Sequence, residues 1–254
     1  MDDVVRAVSV LYGTDALQQA EANRWLMAFA ETPAAWDLCC ELVLSAPASE
    51  HRFFGANVLL TKVRREWAGL GGEARNQVFG ALSTLVVETS RREQGGLACK
   101  RLCLAVGAAA AQQAELCAPC LSMALELGGA EHGQGGAVAA FALLCALPDE
   151  IEQLASGGGG GEQPAGSSRA GAEDLLPFAQ PVARLVEAHV APRAGSSAEL
   201  RKSALSCLRA WAGSVPQALT LRMLAEAHGA LLEGLLAALA DEVRASLTRL
   251  YSQP

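Results

Sequence analysis

Isoleucine is nearly missing from this 254-residue chain: it occurs once, at Ile151. Tyrosine occurs twice, and aromatic residues together make up only 5%. Sheets draw on β-branched and aromatic side chains that fit a pleated, half-buried surface. Their scarcity, beside abundant alanine and leucine, argues against a sheet and for helix. A basic excess is missing as well. Lys and Arg number 20 against 27 Asp and Glu, a formal net charge of −7. A nucleic-acid binder carries a basic footprint, so no direct nucleic-acid partner is expected; an acidic surface suits basic partners. No apolar run reaches the ~18 residues of a membrane span. The opening MDDVVRAVSVLYG starts on acids, without the basic-then-apolar order of a secretory signal. Neither membrane association nor export is therefore expected. The eight cysteines are then free thiols of a reducing compartment.

Motifs of catalysis are also scarce. No Gly-Lys-Ser/Thr follows the run of five glycines at 157–161, so no phosphate loop is present. There is no Gly-x-Ser-x-Gly elbow. His51, His132, His189 and His228 are scattered and make no familiar ligand spacing. Cys117-Ala-Pro-Cys120 has redox-motif spacing, but a thioredoxin-like site needs a βαβ context. A zinc site needs a second ligand pair. Cys99 and Cys103, at i and i+4, could supply one, yet the short-knuckle spacing is absent. Core thiols are the favoured reading, and no catalytic residue, metal or cofactor is expected.

What the chain does contain is helical periodicity. A first helix spans roughly residues 2–12 and ends at Gly13, with Thr14-Asp15 able to cap the next. That second helix carries Leu17, Ala22, Trp25, Leu26 and Phe29. Thr32 reads as an N-cap and Pro33 as the first position of a third helix. There Trp36, Cys39, Cys40 and Val43 recur at i, i+3, i+4, i+7. Ser49 reads as the cap of a fourth. Its stripe is Phe53, Ala56, Leu60, Val63 and Trp67, widened by Phe54, Val58 and Leu59 beyond one face. Such a helix packs on several neighbours.

Further stripes follow near 73–90, 97–111 and 116–127, and again from Val138 to Cys145 after the break GGAEHGQGG. Others lie near 182–190 and at Leu200, Ala204, Cys207 and Trp211, with Ser196 and Glu199 as a capping box. Two last helices are expected near 216–229 and 230–250. About twelve helices in about six pairs of ~40 residues match the period of HEAT or armadillo units. A two-helix unit cannot cover its own apolar faces, so neighbours must stack on it. The expected fold is all-α, a right-handed α-solenoid of about six HEAT-like pairs, an ARM-type superhelix; a globular bundle is the alternative. Three segments are expected: repeats 1–4 over 1–153, a disordered Gly-rich insert over 154–174, and repeats 5–6 over 175–254.

Three basic clusters, Lys62/Arg64/Arg65, Arg91/Arg92 and Lys100/Arg101, break the acidic background. The first and third fall on second helices of consecutive pairs. Second helices stack along one face of a solenoid, so these charges are expected to form a stripe there.

The order of residues carries more. VVRAVSVLYG, then Ala20-Glu21, Trp25-Leu26 and Ala35-Trp36, resembles the first repeats of the importin-β superfamily of nuclear transport receptors. RFFGANVLLTKVRREW resembles the helix that follows. FALLCALPDEIEQL at 141–154, read as a helix ending in a Leu-Pro-acid turn, and SALSCLRAWAGSVP at 203–216 are similar to the transportin-SR and importin-thirteen branch. The likeness runs from about residue 4 to about 240. Two features depart from the family: the Gly-rich insert, and a length of about six repeats where members run to about twenty, which reads as a fragment of a longer receptor.

The resemblance implies a carrier of protein cargo, including Arg/Ser-rich proteins, shuttling between cytoplasm and nucleus. It implies control by the GTP form of the small GTPase Ran, which in the family engages second helices of the first repeats on the concave face. Carried over by position, the candidate contacts are Asn23, Lys62, Arg65 and Arg101. The outer first helices would meet nucleoporin Phe-Gly repeats. A generic repeat scaffold without transport activity is the second reading.

Overall fold

The computed structural model describes residues 1–46, 48–93, 96–156, 168–190 and 197–214. Every regular element among them is helical. In chain order these are α1 (Asp2–Leu11), α2 (Ala16–Ala30), α3 (Ala35–Ser45), α4 (Ser49–Glu66), α5 (Gly72–Glu93) and α6 (Leu97–Gln112). There follow α7 (Cys117–Leu127), α8 (Gly133–Ser156), the single turn α9 (Ala172–Leu175), α10 (Ala179–Val190) and α11 (Ala198–Ser214). None is long and apolar enough to cross a membrane.

The helices pack in consecutive pairs: α1 with α2, α3 with α4, α5 with α6, α7 with α8, α10 with α11. The second members also stack in sequence, α4 on α6, α6 on α8 and α8 on α11. This is a helical-repeat ladder of five described pairs, and each buries what its neighbour cannot. The helices expected at 216–229 and 230–250 lie outside the described residues, as do 157–167 of the Gly-rich segment. Of that segment's edges, 154–156 complete α8, and Ala170 N–H donates to Ala111 O at 3.0 Å.

Local sequence sets the ends. Asp15 caps α2 as read, accepting from Leu17 N and Gln18 N. Thr32 and Ser49 do not cap. The Thr32 hydroxyl donates backwards to Phe29 O at 2.7 Å, closing α2, and α3 begins only at Ala35. Ser49 is already helical and turns to Glu50. At α11 the hydroxyl that accepts from Leu200 N is Ser197, while Ser196 lies outside the described residues.

The glycine break before Val138 is narrower than its composition implies. Gly133, at φ +62°, starts α8, and Gly135 and Gly136 are buried within it. A Cβ on Gly136 would lie 2.4 Å from His132 Cβ and 2.6 Å from Leu127 O, so close approach requires glycine there. Gly107 serves the same end where α6 crosses α8: its Cβ would meet Ala146 Cβ at 2.9 Å. Gly107→Val is expected to cost about 1–3 kcal/mol by forcing these helices apart, read as a lower urea midpoint.

The Leu-Pro-acid turn is instead helix. α8 continues through Pro148 to Ser156. A helical proline has no N–H for the carbonyl four residues back, here Leu144 O. That carbonyl accepts from the Trp211 indole N–H at 2.8 Å, from α11 of the next pair. Trp211 is 1% exposed. One continuous core runs from Ala35 in α3 to Trp211. A separate small core holds Val4, Val8, Leu26, Leu42 and Ala46 beneath the first pair.

Candidate interaction face

Two of the seven clustered basic residues, Lys62 and Arg92, satisfy carbonyls at the ends of helices. Lys62 is 2% exposed, not on a wet edge. Its ammonium donates to Ala30 O at 3.2 Å, Thr32 O at 3.1 Å and Glu66 Oε1 at 2.8 Å. It also sits 5.3 Å from the Trp36 ring centre, and Trp36 N–H donates to the other Glu66 oxygen. The last carbonyls of a helix lack partners within it and carry partial negative charge. Lys62 supplies the partner for α2 from a position 32 residues along the chain. As a concave-surface contact it is therefore corrected: it is a clamp between the first two pairs.

Its neighbours are engaged in similar ways. Arg52 Nη1 donates to Ala46 O at 2.8 Å and Arg92 to Leu44 O, both at the end of α3. Arg75, 6% exposed, donates to Trp67 O and Ala68 O beyond α4. Arg64 pairs with the buried Glu150, joining α4 to α8. Arg91 pairs with Glu88 in its own helix. Arg65 pairs with Glu31 at 2.8 Å, both about two-thirds exposed. The expected basic stripe thus resolves into ties between helices. The exception is Lys100 and Arg101, near the start of α6, which form no ion pair among the described residues. Arg101 instead lies over the Phe53 ring at 5.6 Å.

Two of the four candidate residues line one depression. Asn23 and Arg65 line opposite walls of an open depression of about 490 Å³ between α2 and α4, floored by Val8, Leu26 and Phe54. Phe53 separates it from a second depression of about 750 Å³, walled by Arg52, Gly96 and Leu97. Tyr12 lines both, and Arg101 covers Phe53. Lys62 lines neither depression, and Arg101 reaches them only through Phe53.

Periodicity misreads one feature here. The stripe assigned to α2 is half bare: Leu17 is 85% and Trp25 44% exposed, and Met27 is 66% exposed. α2 does not pack along α4 as α4 packs along α6. The signal that could find this is the apolar surplus of α2, which exceeds what one partner helix covers.

Thiol chemistry has no place on this face. Burial, with Asp174 and Glu115 nearby, pushes the Cys117 thiol up to about 12. Burial and the neighbouring Cys117 push Cys120 to about 12, whereas reactive thiols are depressed. Burial, then Cys40, raises Cys39 to about 12 despite Lys62. No cluster of His, Cys, Asp and Glu among the described residues could hold a metal ion.

The sign of the linkage follows from these values. A thiol whose folded value is raised contributes stability that is complete below the unfolded value near 9.0 and lost as pH rises toward 12. Urea midpoints are expected to fall over that window, and less steeply in a Cys117→Ala, Cys120→Ala chain.

The architecture defines a helical-repeat protein with an open groove beside its first pair. No protein-family profile matches the chain. Among curated proteins it is similar to importin-13. It is 26% identical to the Homo sapiens protein over 158 residues, which is 60% of this chain and 16% of that protein. The Pongo abelii protein matches at 26% and the Bos taurus protein at 25% over the same lengths. The chain spans about one sixth of the length of these relatives. The likeness is a distant link to the importin-β superfamily; it does not single out a branch.

Proposed function

We propose that this chain is the N-terminal part of an importin-type nuclear transport receptor, built of right-handed HEAT-like repeats, that binds Ran in its GTP form. The observation that carries the reading is the importin-13 similarity over 60% of the chain, in a ladder whose second helices present one shared face. On that face Asn23, Arg65 and Arg101 are the candidate Ran contacts, with Lys62 holding α2 in place behind them. The transportin-SR and importin-thirteen branch is the proposed relation. Protein cargo, including Arg/Ser-rich proteins, and nucleoporin Phe-Gly repeats are the other proposed partners, with shuttling between cytoplasm and nucleus.

The mechanism is linkage. Each repeat packs chiefly on its neighbours, so a solenoid flexes as a spring. Ran and cargo that prefer different curvatures then weaken each other reciprocally. No covalent chemistry is involved. The test is retention of the purified chain on immobilised Ran. The GTP form should retain it and the GDP form should not, and Arg101→Glu should reduce retention. Equal or absent retention on both favours a repeat scaffold without transport activity, the reading consistent with the distance of the likeness.

A further inference from the structure

We propose that the groove between α2 and α4, continuing past Phe53 to α6, is a docking site for an amphipathic acidic helix from a protein partner. The inference does not rest on Ran binding, and its test contains no Ran.

Three observations lead to it. Elsewhere second helices close on one another, α4 on α6 and α6 on α8, but α2 and α4 leave about 490 Å³ open between them. That size lies within the range of built ligand sites, about 300–1,000 Å³. The first pair is also held in this open position. Lys62 and the Arg65–Glu31 pair tie the C-terminal end of α2 to α4, and His51 Nε2 lies 3.1 Å from Val5 O and 3.0 Å from Ser9 Oγ, tying α1 to α4. The groove is thus part of the fold. Its walls are apolar and exposed in the same stretch: Tyr12 is 60%, Met27 66% and Leu97 70% exposed. Bare apolar patches rimmed by polar groups mark interaction sites.

Two helices form the walls of the first depression, so a third helix is what fits between them, laying an apolar face into the groove. Charge selects its other face. In a chain of net charge −7, Arg101 of α6 lies over Phe53 between the two depressions, and the adjacent Lys100 is exposed; neither forms an ion pair among the described residues. Two carboxylates also line the depressions: Glu31 pairs with Arg65, while Glu50 accepts from the Ser49 hydroxyl and shares its depression with Arg52. A partner helix with Leu and Phe on one side and Asp and Glu along the edge facing α6 satisfies both the apolar walls and two cations that have no carboxylate partner among the described residues.

The test is fluorescence anisotropy of the full chain with synthetic helical peptides of about 15 residues. The first carries Leu and Phe on one face and Glu on the other; the second has Lys for Glu; the third has Ser for the apolar residues. Saturable binding is expected for the first alone, weakening as salt is raised. Met27→Glu, at an exposed position, should weaken it by about tenfold or more. The double variant Lys100→Glu, Arg101→Glu should weaken it similarly and flatten the salt dependence. Circular dichroism should show both variants folded. Equal binding of the Lys peptide, no saturable binding, or binding indifferent to Met27→Glu each overturn the proposal. So does concentration-dependent dimerisation that Met27→Glu abolishes in a chain that binds no peptide, because a second copy would then be the occupant.

Discussion

Replacing Trp211 by alanine is expected to lower stability by about 3–5 kcal/mol, read as a shift in the urea midpoint. The side chain is 1% exposed and fills the contact between α8 and α11. Beyond its volume it performs one task no aliphatic residue can. Pro148 withdraws the donor that Leu144 O would otherwise have, and the Trp211 indole provides another at 2.8 Å. Trp211→Phe keeps most of the packing and leaves that carbonyl buried without a partner, at about 1–3 kcal/mol. Pro148→Ala restores a helical N–H to Leu144 O. The two substitutions should therefore be non-additive: the cost of Trp211→Phe should shrink when Pro148→Ala is already present. Additive costs would remove the proposed exchange of donors. Because α10 and α11 pack chiefly on α7 and α8, unfolding in Trp211→Ala is expected to begin at α10 and α11.

Lys62→Ala should cost about 2–4 kcal/mol, far more than an exposed lysine. It strips the partner from Ala30 O and Thr32 O, leaves Glu66 without its cation and opens a void beside Trp36. Hydrogen bonds to a charged group contribute about 1.5–3 kcal/mol, and losing one member of a buried set leaves the others desolvated. Lys62→Met refills the space over Trp36 but restores no donor, so it should recover part of the loss. Arg65→Glu, three residues on, is the control. Its ion pair with Glu31 is about two-thirds exposed at both ends, and the change should cost no more than about 1 kcal/mol. Thermal melts of the three variants side by side check the ranking; equal losses at Lys62 and Arg65 would contradict it.

Much of the ladder was legible in the sequence because buried repeats impose a period. Leu200, Ala204, Cys207 and Trp211 form one buried stripe, and Leu82, Leu85 and Val86 another. Two kinds of information were not legible. A period reports that a helix has an apolar face, not that something lies against it, so Leu17 and Trp25 read like core and stand in solvent. A lysine between apolar residues reads as a solvated edge because its acceptors, 30 and 32 residues away, leave no trace in the local pattern. Pro148 misled for the same reason. The rule that proline ends a helix holds unless a distant donor takes over the freed carbonyl, and that donor is 67 residues away. Of the four candidate residues, position in the second helices led to Asn23 and Arg65, which share a depression. The depression they line depends on α2 standing off α4, a property of no single segment.

The central proposal is that the face formed by the second helices distinguishes the nucleotide state of Ran. The most direct measurement is calorimetric titration of the purified 254-residue chain with Ran loaded with a non-hydrolysable GTP analogue and, in parallel, with GDP. The account predicts a dissociation constant at least about 100-fold tighter for the GTP form, a difference of about 2.7 kcal/mol, reduced by Arg101→Glu. Equal affinities, or no heat in either titration from a chain shown to be folded, would contradict it.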